Sequence, residues 1–214
     1  QRIEVAEREV WAFRMSYAGE LGWELHMPFA ATADVYTALT AAGAPHGIAD
    51  YGSFAMNVMR MEKGFKGAGE LTNEVTLAEA GVLRFARTDK EYLGRDRTLN
   101  TDERPWVCVY LEIEPDDPAS SGEAVGQKGQ IDGHGGEAVL LDGRVVGSTS
   151  SVAYGHSVGK ILAFAYVEPD AASPGTALEV VIHGTPRPAR VLAEPAHDPQ
   201  SLRPRTDAVM EPAP

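Results

Sequence analysis

The chain has almost no cysteine, no long apolar run and no surplus of positive charge, and each lack closes off a class of protein. Its single cysteine, Cys108, can form no disulfide within the chain, and the neighbours Val107, Val109 and Tyr110 suit a strand that buries an inert thiol. No stretch approaches the ~20 apolar residues that cross a bilayer, and the opening QRIEVAEREVW has neither the basic head nor the apolar middle of a signal peptide. No membrane partner is expected, and the cytoplasm is the default location. A formal net charge of −12 argues against a phosphate-tracking surface, so no nucleic-acid partner is expected. The six histidines, His26, His46, His134, His156, His183 and His197, lie too far apart for zinc-ligand spacing, and no metal is expected. No serine or cysteine has the strand-to-helix setting of a nucleophile elbow, GSTSS at 147–151 included, which argues against a hydrolase. The glycine-rich GQKGQIDGHGGE at 126–137 is followed by no helix and carries no lysine after a terminal glycine, so it reads as a hairpin loop rather than a phosphate cradle.

What is present is enough for one large core or two modest ones: 214 residues, 43% of them hydrophobic. The first residues run into the strand-like REVWAFRMSY with no initiator methionine, cap or linker, which predicts a chain cut from inside a longer protein. Trp11, Phe13, Met15 and Tyr17 alternate with Val10, Ala12, Arg14 and Ser16, and GWELHMP resumes the pattern after a turn at Ala18 to Gly22. That predicts a hairpin. Pro28 then introduces a helix with Val35, Leu39 and Ala42 at helical spacing and Gly43 as its stop. SFAMNVMRMEK is a second helix ended by Gly64. Lys66 to Asn100 shows no long period and reads as extended connecting chain. From Trp106 onward WVCVYLEIE, EAVLLDGRVVGSTSS, KILAFAYVEP, ALEVVIHG and ARVLAEP are strands at near-regular spacing, with a tight hairpin at Asp142-Gly143. This predicts a small all-β sandwich or barrel. The fold class is therefore α+β, with domains over 1–103 and 104–200, and a proline-rich, disordered tail over 201–214.

The chemistry centres on MSYAGELGWELHMP at 15–28. If the hairpin sets Tyr17 opposite Glu24, one face carries Phe13, Met15 and Tyr17 from one strand and Glu24 and His26 from the other. A carboxylate among aromatic groups suits a flat heterocycle. An aminopyrimidinone edge offers two N–H donors side by side, which one carboxylate accepts as a pair, while a tyrosine ring covers the plane. The same spacing also fits a solvated Glu24 and a Tyr17 that only packs on the sheet, and spacing alone favours that plainer arrangement.

SYAGELGWELHMP, RMEKGF and LTNEVTLAEAGVLRFARTDKEYLGRD, in this order, resemble the second half of the folate-binding domain of the aminomethyltransferase family, the glycine-cleavage T-protein group. The wording is most similar to the versions fused behind flavin-dependent sarcosine and dimethylglycine dehydrogenases. GEAVLLDGRVVGSTSSVAYGHSVGKILAFAYVEPDAASPGTALEVVIHG and EPAHDP are similar to the same family's C-terminal barrel. The resemblance runs from about Arg8 to Asp207.

It implies tetrahydrofolate as cofactor, with Tyr17 matching the tyrosine of the family's Gly-Tyr-Thr-Gly-Glu turn and Glu24 matching the glutamate that holds the pterin. Met56 stands where the T-protein group usually has a folate-site arginine, a departure that points to the dehydrogenase-fused branch. Arg84 stands where many relatives have an aromatic residue, and it either approaches the folate or is a surface arginine. Glu62, Lys63, Glu74, Glu79 and Asp96 belong to recognisable motifs, with structural pairing as the expected role. The family's catalytic aspartate is expected before residue 1, so no catalytic residue is expected in this chain, and any FAD belongs to a missing N-terminal domain. The implied parent is a sarcosine- or dimethylglycine-dehydrogenase-like flavoprotein. There the flavin domain oxidises the methylamine to an iminium, and tetrahydrofolate captures its carbon as 5,10-methylenetetrahydrofolate. The expected partners are folate, a one-carbon donor and the missing domain. A stand-alone aminomethyltransferase or tetrahydrofolate-dependent demethylase is the alternative within the fold, and a non-catalytic scaffold the alternative outside it.

Overall fold

Val10 and Ala12 are buried while Trp11 and Phe13, alternating with them, are exposed, as the two-residue period of a strand requires. They lie on β2 (Arg8–Phe13), the central strand of a three-stranded antiparallel sheet flanked by β1 (Arg2–Val5) and β3 (Glu24–His26). β1 was not expected: its four residues, RIEV, are mostly exposed and carry little pattern. The computed structural model describes residues 1–102, 104–115 and 134–205. It divides into two compact units, Gln1–Met59 with the segment from Gln200 onward, and Arg60–Pro199. Each is described by itself below.

In the first unit the β2–β3 hairpin forms, but its register corrects the expected one. Phe13, not Tyr17, stands opposite Glu24, with Ala12 opposite Leu25 and Trp11 opposite His26. Pairing stops at Phe13, so Met15 and Tyr17 belong to the connecting loop. Within that loop Gly19, at φ 82°, supplies a left-handed residue. Past Pro28 a 3-10 turn (Phe29–Ala31) leads into α1 (Thr32–Gly43). Its Asp34 accepts a 2.7 Å hydrogen bond from Arg8 of β2. α1 ends at Gly43 as expected, but the chain does not yet extend. It tightens into a further 3-10 turn over Ala44–His46 and ends on Gly47, at φ 73°. α2 (Ser53–Glu62) follows, with Phe54 exposed at its start. Arg203 and Pro204 also belong to this unit, bonded to Glu20 and Arg14 respectively. The tail expected over 201–214 lies outside the described residues from 206 onward.

The last turn of α2, Arg60 to Glu62, belongs to the second unit and is buried. Gly64 at φ 68° ends the helix as expected. Its N–H bonds to the Met61 carbonyl and that of Phe65 to the Arg60 carbonyl, the paired closure of a Schellman cap. The segment 66–100 is not wholly extended, since it holds a 3-10 turn (Leu83–Phe85) and the short α3 (Arg95–Leu99). Thr76 and Glu79 form a reciprocal capping pair, Glu79 accepting from the Thr76 N–H at 2.7 Å and its own N–H donating back to the Thr76 hydroxyl at 3.2 Å.

Beyond it the expected all-β unit is a closed six-stranded antiparallel barrel in the order β4-β7-β6-β5-β8-β9, sealed by pairing of β9 with β4. Its strands are β4 (Val107–Ile113), β5 (Ala138–Leu141), β6 (Arg144–Gly155), β7 (Lys160–Val167), β8 (Ala177–Ile182) and β9 (Thr185–Leu192). Alternate residues, among them Leu111, Val139, Ala163, Val180 and Val191, fill the interior. Asp142-Gly143 makes the expected turn with both residues at positive φ. The glycine-rich loop expected at 126–137 lies outside the described residues up to 133. Cys108 on β4 is partly buried; burial pushes its thiol up to about 11, so it stays protonated at neutral pH and is no nucleophile.

A buried polar network anchors the entry to this unit. Glu70 is fully buried and accepts from Arg60 Nη1 at 2.7 Å, the Gly67 N–H at 2.7 Å, Ser150 at 2.8 Å and Ser151 at 2.6 Å. Consecutive strand residues normally point to opposite faces. The pairing of β6 with β7 shifts between Thr149 and Ser151, and that bulge lets Ser150 and Ser151 reach the same carboxylate oxygen. GSTSS is therefore a ligand set for an internal ion pair. Lys63, also buried, pairs with Asp198 at 2.9 Å.

Candidate functional site

In the first unit the loop between β2 and β3 walls a cavity of about 220 Å³. The loop can fold back because residue 22 is glycine: a Cβ there would sit 2.8 Å from the Met15 carbonyl oxygen. The outgoing limb carries Tyr17, the return limb Trp23, and the first residue of β3 is Glu24. Tyr51, from the loop before α2, and Met56, on the first turns of α2, complete the wall. Tyr17, Glu24 and Met56, singled out from the sequence, thus line one space, although the register differs from the one expected. Arg84 lies in the other unit, exposed on its 3-10 turn, with its guanidinium 4.6 Å from the Phe85 ring centroid.

Two carboxylates reach the cavity, and their partners differ. Glu20 accepts a 2.7 Å hydrogen bond from Arg203 Nε, so its charge is matched by a cation. Glu24 is half exposed and lies 3.3 Å from His26 Nε2, with no arginine or lysine within ion-pair distance among the described residues. The cavity therefore presents one acceptor carboxylate, Glu24, among the rings of Tyr17, Trp23 and Tyr51 and the thioether of Met56. Such a wall has the chemistry to receive a flat, partly apolar molecule with adjacent N–H donors at one edge. Among the described residues no group of three or more histidine, cysteine, aspartate or glutamate side chains is placed to hold a metal ion. No helix among them is long and apolar enough to cross a membrane.

The sequence reading missed Glu20, Trp23 and Tyr51 as lining residues. Trp23 and Glu20 share the GELGWE segment with Glu24 and could have been found by treating that segment as one unit. Tyr51 follows a loop with no pattern of its own, and only the folded chain brings it to the cavity.

Residues 1–90 match the GCVT N-terminal domain family and residues 123–198 the glycine cleavage T-protein C-terminal barrel domain. Together these cover well over half of the chain. The chain belongs to the aminomethyltransferase, or glycine-cleavage T-protein, family. It is 33% identical over 198 residues to the mitochondrial dimethylglycine dehydrogenase of Mus musculus, covering 90% of this chain and 21% of that protein. It is 32% identical over 197 residues to an aminomethyltransferase of Saccharopolyspora erythraea, covering 91% of this chain and 51% of that one. The chain thus spans about half the length of the transferase and about a fifth of the dehydrogenase. Its fold matches glycine cleavage system aminomethyltransferase T from Bartonella henselae with a TM-score of 0.73 at 18% identity, over 88% of this chain and 50% of that structure.

Proposed function

We propose that this chain is a tetrahydrofolate-binding one-carbon transfer module, a domain over 1–103 followed by a barrel over 104–200. Its parent would be a protein of the dimethylglycine and sarcosine dehydrogenase type that forms 5,10-methylenetetrahydrofolate. The observation that carries this reading is the placement of Tyr17 and Glu24 on one cavity, with Glu24 its one carboxylate not matched by a cation.

The residues fit the cofactor at its pterin end. Glu24 offers two acceptor oxygens to the paired donors of an aminopyrimidinone, and Tyr17, Trp23 and Tyr51 supply ring faces for the plane. A cavity of about 220 Å³ is below the ~300–1,000 Å³ of pockets that enclose a whole drug-sized ligand, so it accounts for the bicyclic head and not for the tail. Bound there, tetrahydrofolate would supply the nitrogens that take up a one-carbon unit. The chain's own residues bind and orient: Glu24 fixes the edge of the ring, the aromatic groups exclude water from its faces, and positioning of the acceptor supplies much of the rate. Met56 lines the cavity, so the place where the resemblance puts an arginine in T-proteins is an apolar wall here. That supports the dehydrogenase-type parent over a stand-alone transferase. Arg84 keeps a surface role against Phe85.

Trp23 makes the reading directly testable. Adding tetrahydrofolate to the full-length protein should change tryptophan fluorescence saturably after correction for absorbance, and most of that change should vanish in the Trp23→Phe variant. A saturable signal that the substitution leaves intact would place the ligand elsewhere.

A further inference from the structure

We propose that His26 is a positioning residue for Glu24, holding the carboxylate ready for the pterin edge. This rests on the tetrahydrofolate reading of the cavity. Glu24 and His26 stand two apart on β3 and so share a face. The Nε2 atom of His26 lies 3.3 Å from Oε2 of Glu24. An ionised carboxylate only accepts, so the contact requires the hydrogen to be on Nε2. One lone pair of Oε2 is then taken, and the rest of Oε2 and all of Oε1 remain for two donors from a ligand.

The imidazole is itself held in place. Its ring meets Phe13 edge-on at 5.0 Å and 78°, and across the strands it faces Trp11, whose ring stacks with Phe13 at 6.3 Å and 12°. Arg2 covers Trp11 at 4.7 Å and pairs with Glu9 at 3.6 Å, so its guanidinium is engaged with those two side chains. Without His26, Glu24 is a half-exposed side chain with several rotamers to lose on binding. His26 removes part of that loss beforehand, which is how preorganisation raises affinity. The signal in the sequence is the Glu-x-His spacing of GWELH, where alternation alone sets both side chains on one face.

The test measures tetrahydrofolate affinity in the full-length protein for His26→Phe, His26→Gln, Glu24→Gln and the double variant Glu24→Gln/His26→Phe. Phenylalanine keeps a ring against Phe13 but has no N–H, whereas glutamine keeps an N–H donor near the Nε2 position. Binding should weaken about 5-fold in H26F, the net effect of one ordinary hydrogen bond, and stay within about 2-fold of wild type in H26Q. The double variant should bind no more weakly than E24Q alone, since His26 acts only through Glu24. Wild-type affinity in H26F beside a loss in E24Q would overturn the role of His26 and leave the site standing. Equal losses in H26F and H26Q, or additive losses in the double variant, would also overturn it. If E24Q itself binds as wild type, the site reading fails first and this proposal fails with it. Unfolding midpoints of all four variants identify any loss that comes from misfolding, and H26Q keeps the test decisive if H26F is unstable.

Discussion

Replacing Glu70 with alanine is expected to cost about 3–5 kcal/mol of stability. Glu70 is fully buried and satisfies four donors: Arg60, the Gly67 N–H, Ser150 and Ser151. Arg60 is only 3% exposed, so removal of the carboxylate takes the Glu70 half of an ion pair from a guanidinium in the interior. The hydroxyls of Ser150 and Ser151 lose an acceptor at the same time. The ion pair itself contributes little net stability, because desolvating both charges offsets most of their attraction. Breaking one half is what is costly. Replacing both Arg60 and Glu70 with methionine should therefore be less damaging than Glu70→Ala alone. Urea unfolding of the three variants measures the difference, and a loss below about 1 kcal/mol for Glu70→Ala would show that water reaches the site.

Gly147→Ala should be nearly as damaging, for a steric reason. A Cβ at this position would stand 2.0 Å from the carbonyl oxygen of Tyr166, 2.8 Å from Cα of Val167 and 2.9 Å from the carbonyl carbon of Tyr166. All three atoms are backbone of β7, directly across from Gly147 in the β6–β7 pairing, so no side chain can turn away to make room. The strands must separate, and in a closed barrel that strain passes to their neighbours. We expect a loss of about 3 kcal/mol, the upper end for overpacking. The thermal midpoint should fall by roughly 6–12 °C in a protein of this size. A midpoint within about 2 °C of wild type would mean that β6 can shift without cost.

The barrel was legible because its signals are local. Alternating apolar residues, Asp142-Gly143 at a tight turn and glycine between strands each act over a few residues, and together they call for a small all-β unit, sandwich or barrel, whose closure only the β9–β4 pairing decides. Gly64 was likewise readable as a helix stop, because its left-handed conformation is a property of glycine itself. The pairing register was less legible. Met15 and Tyr17 continue the alternation of Trp11 and Phe13, yet β2 ends at Phe13, because the return limb meets the outgoing one at Gly22 and Met15 before ladder pairing can extend. Tyr17 and Glu24 still reach one cavity, through the loop rather than across a ladder. The Glu70 network was out of reach for a different reason. Its members, 60, 67, 70, 150 and 151, are up to 91 positions apart, and they meet only because a bulge in β6 turns two serines the same way. Pro28 and Gly43 predicted the limits of α1 well, but the chain spent three more residues on a 3-10 turn before a left-handed glycine at 47 ended it.

The central claim is that Glu24 receives the donor edge of a pterin, and titrating tetrahydrofolate into wild-type and Glu24→Gln full-length protein tests it most directly. Glutamine replaces a charged double acceptor with one acceptor and one donor, and that donor opposes the N–H groups of the ligand. Affinity should fall by about 1.5–3 kcal/mol, roughly 10- to 150-fold, with the unfolding midpoint unchanged because the side chain is half exposed. An E24Q protein that binds tetrahydrofolate as tightly as wild type would make Glu24 a surface carboxylate and contradict the account.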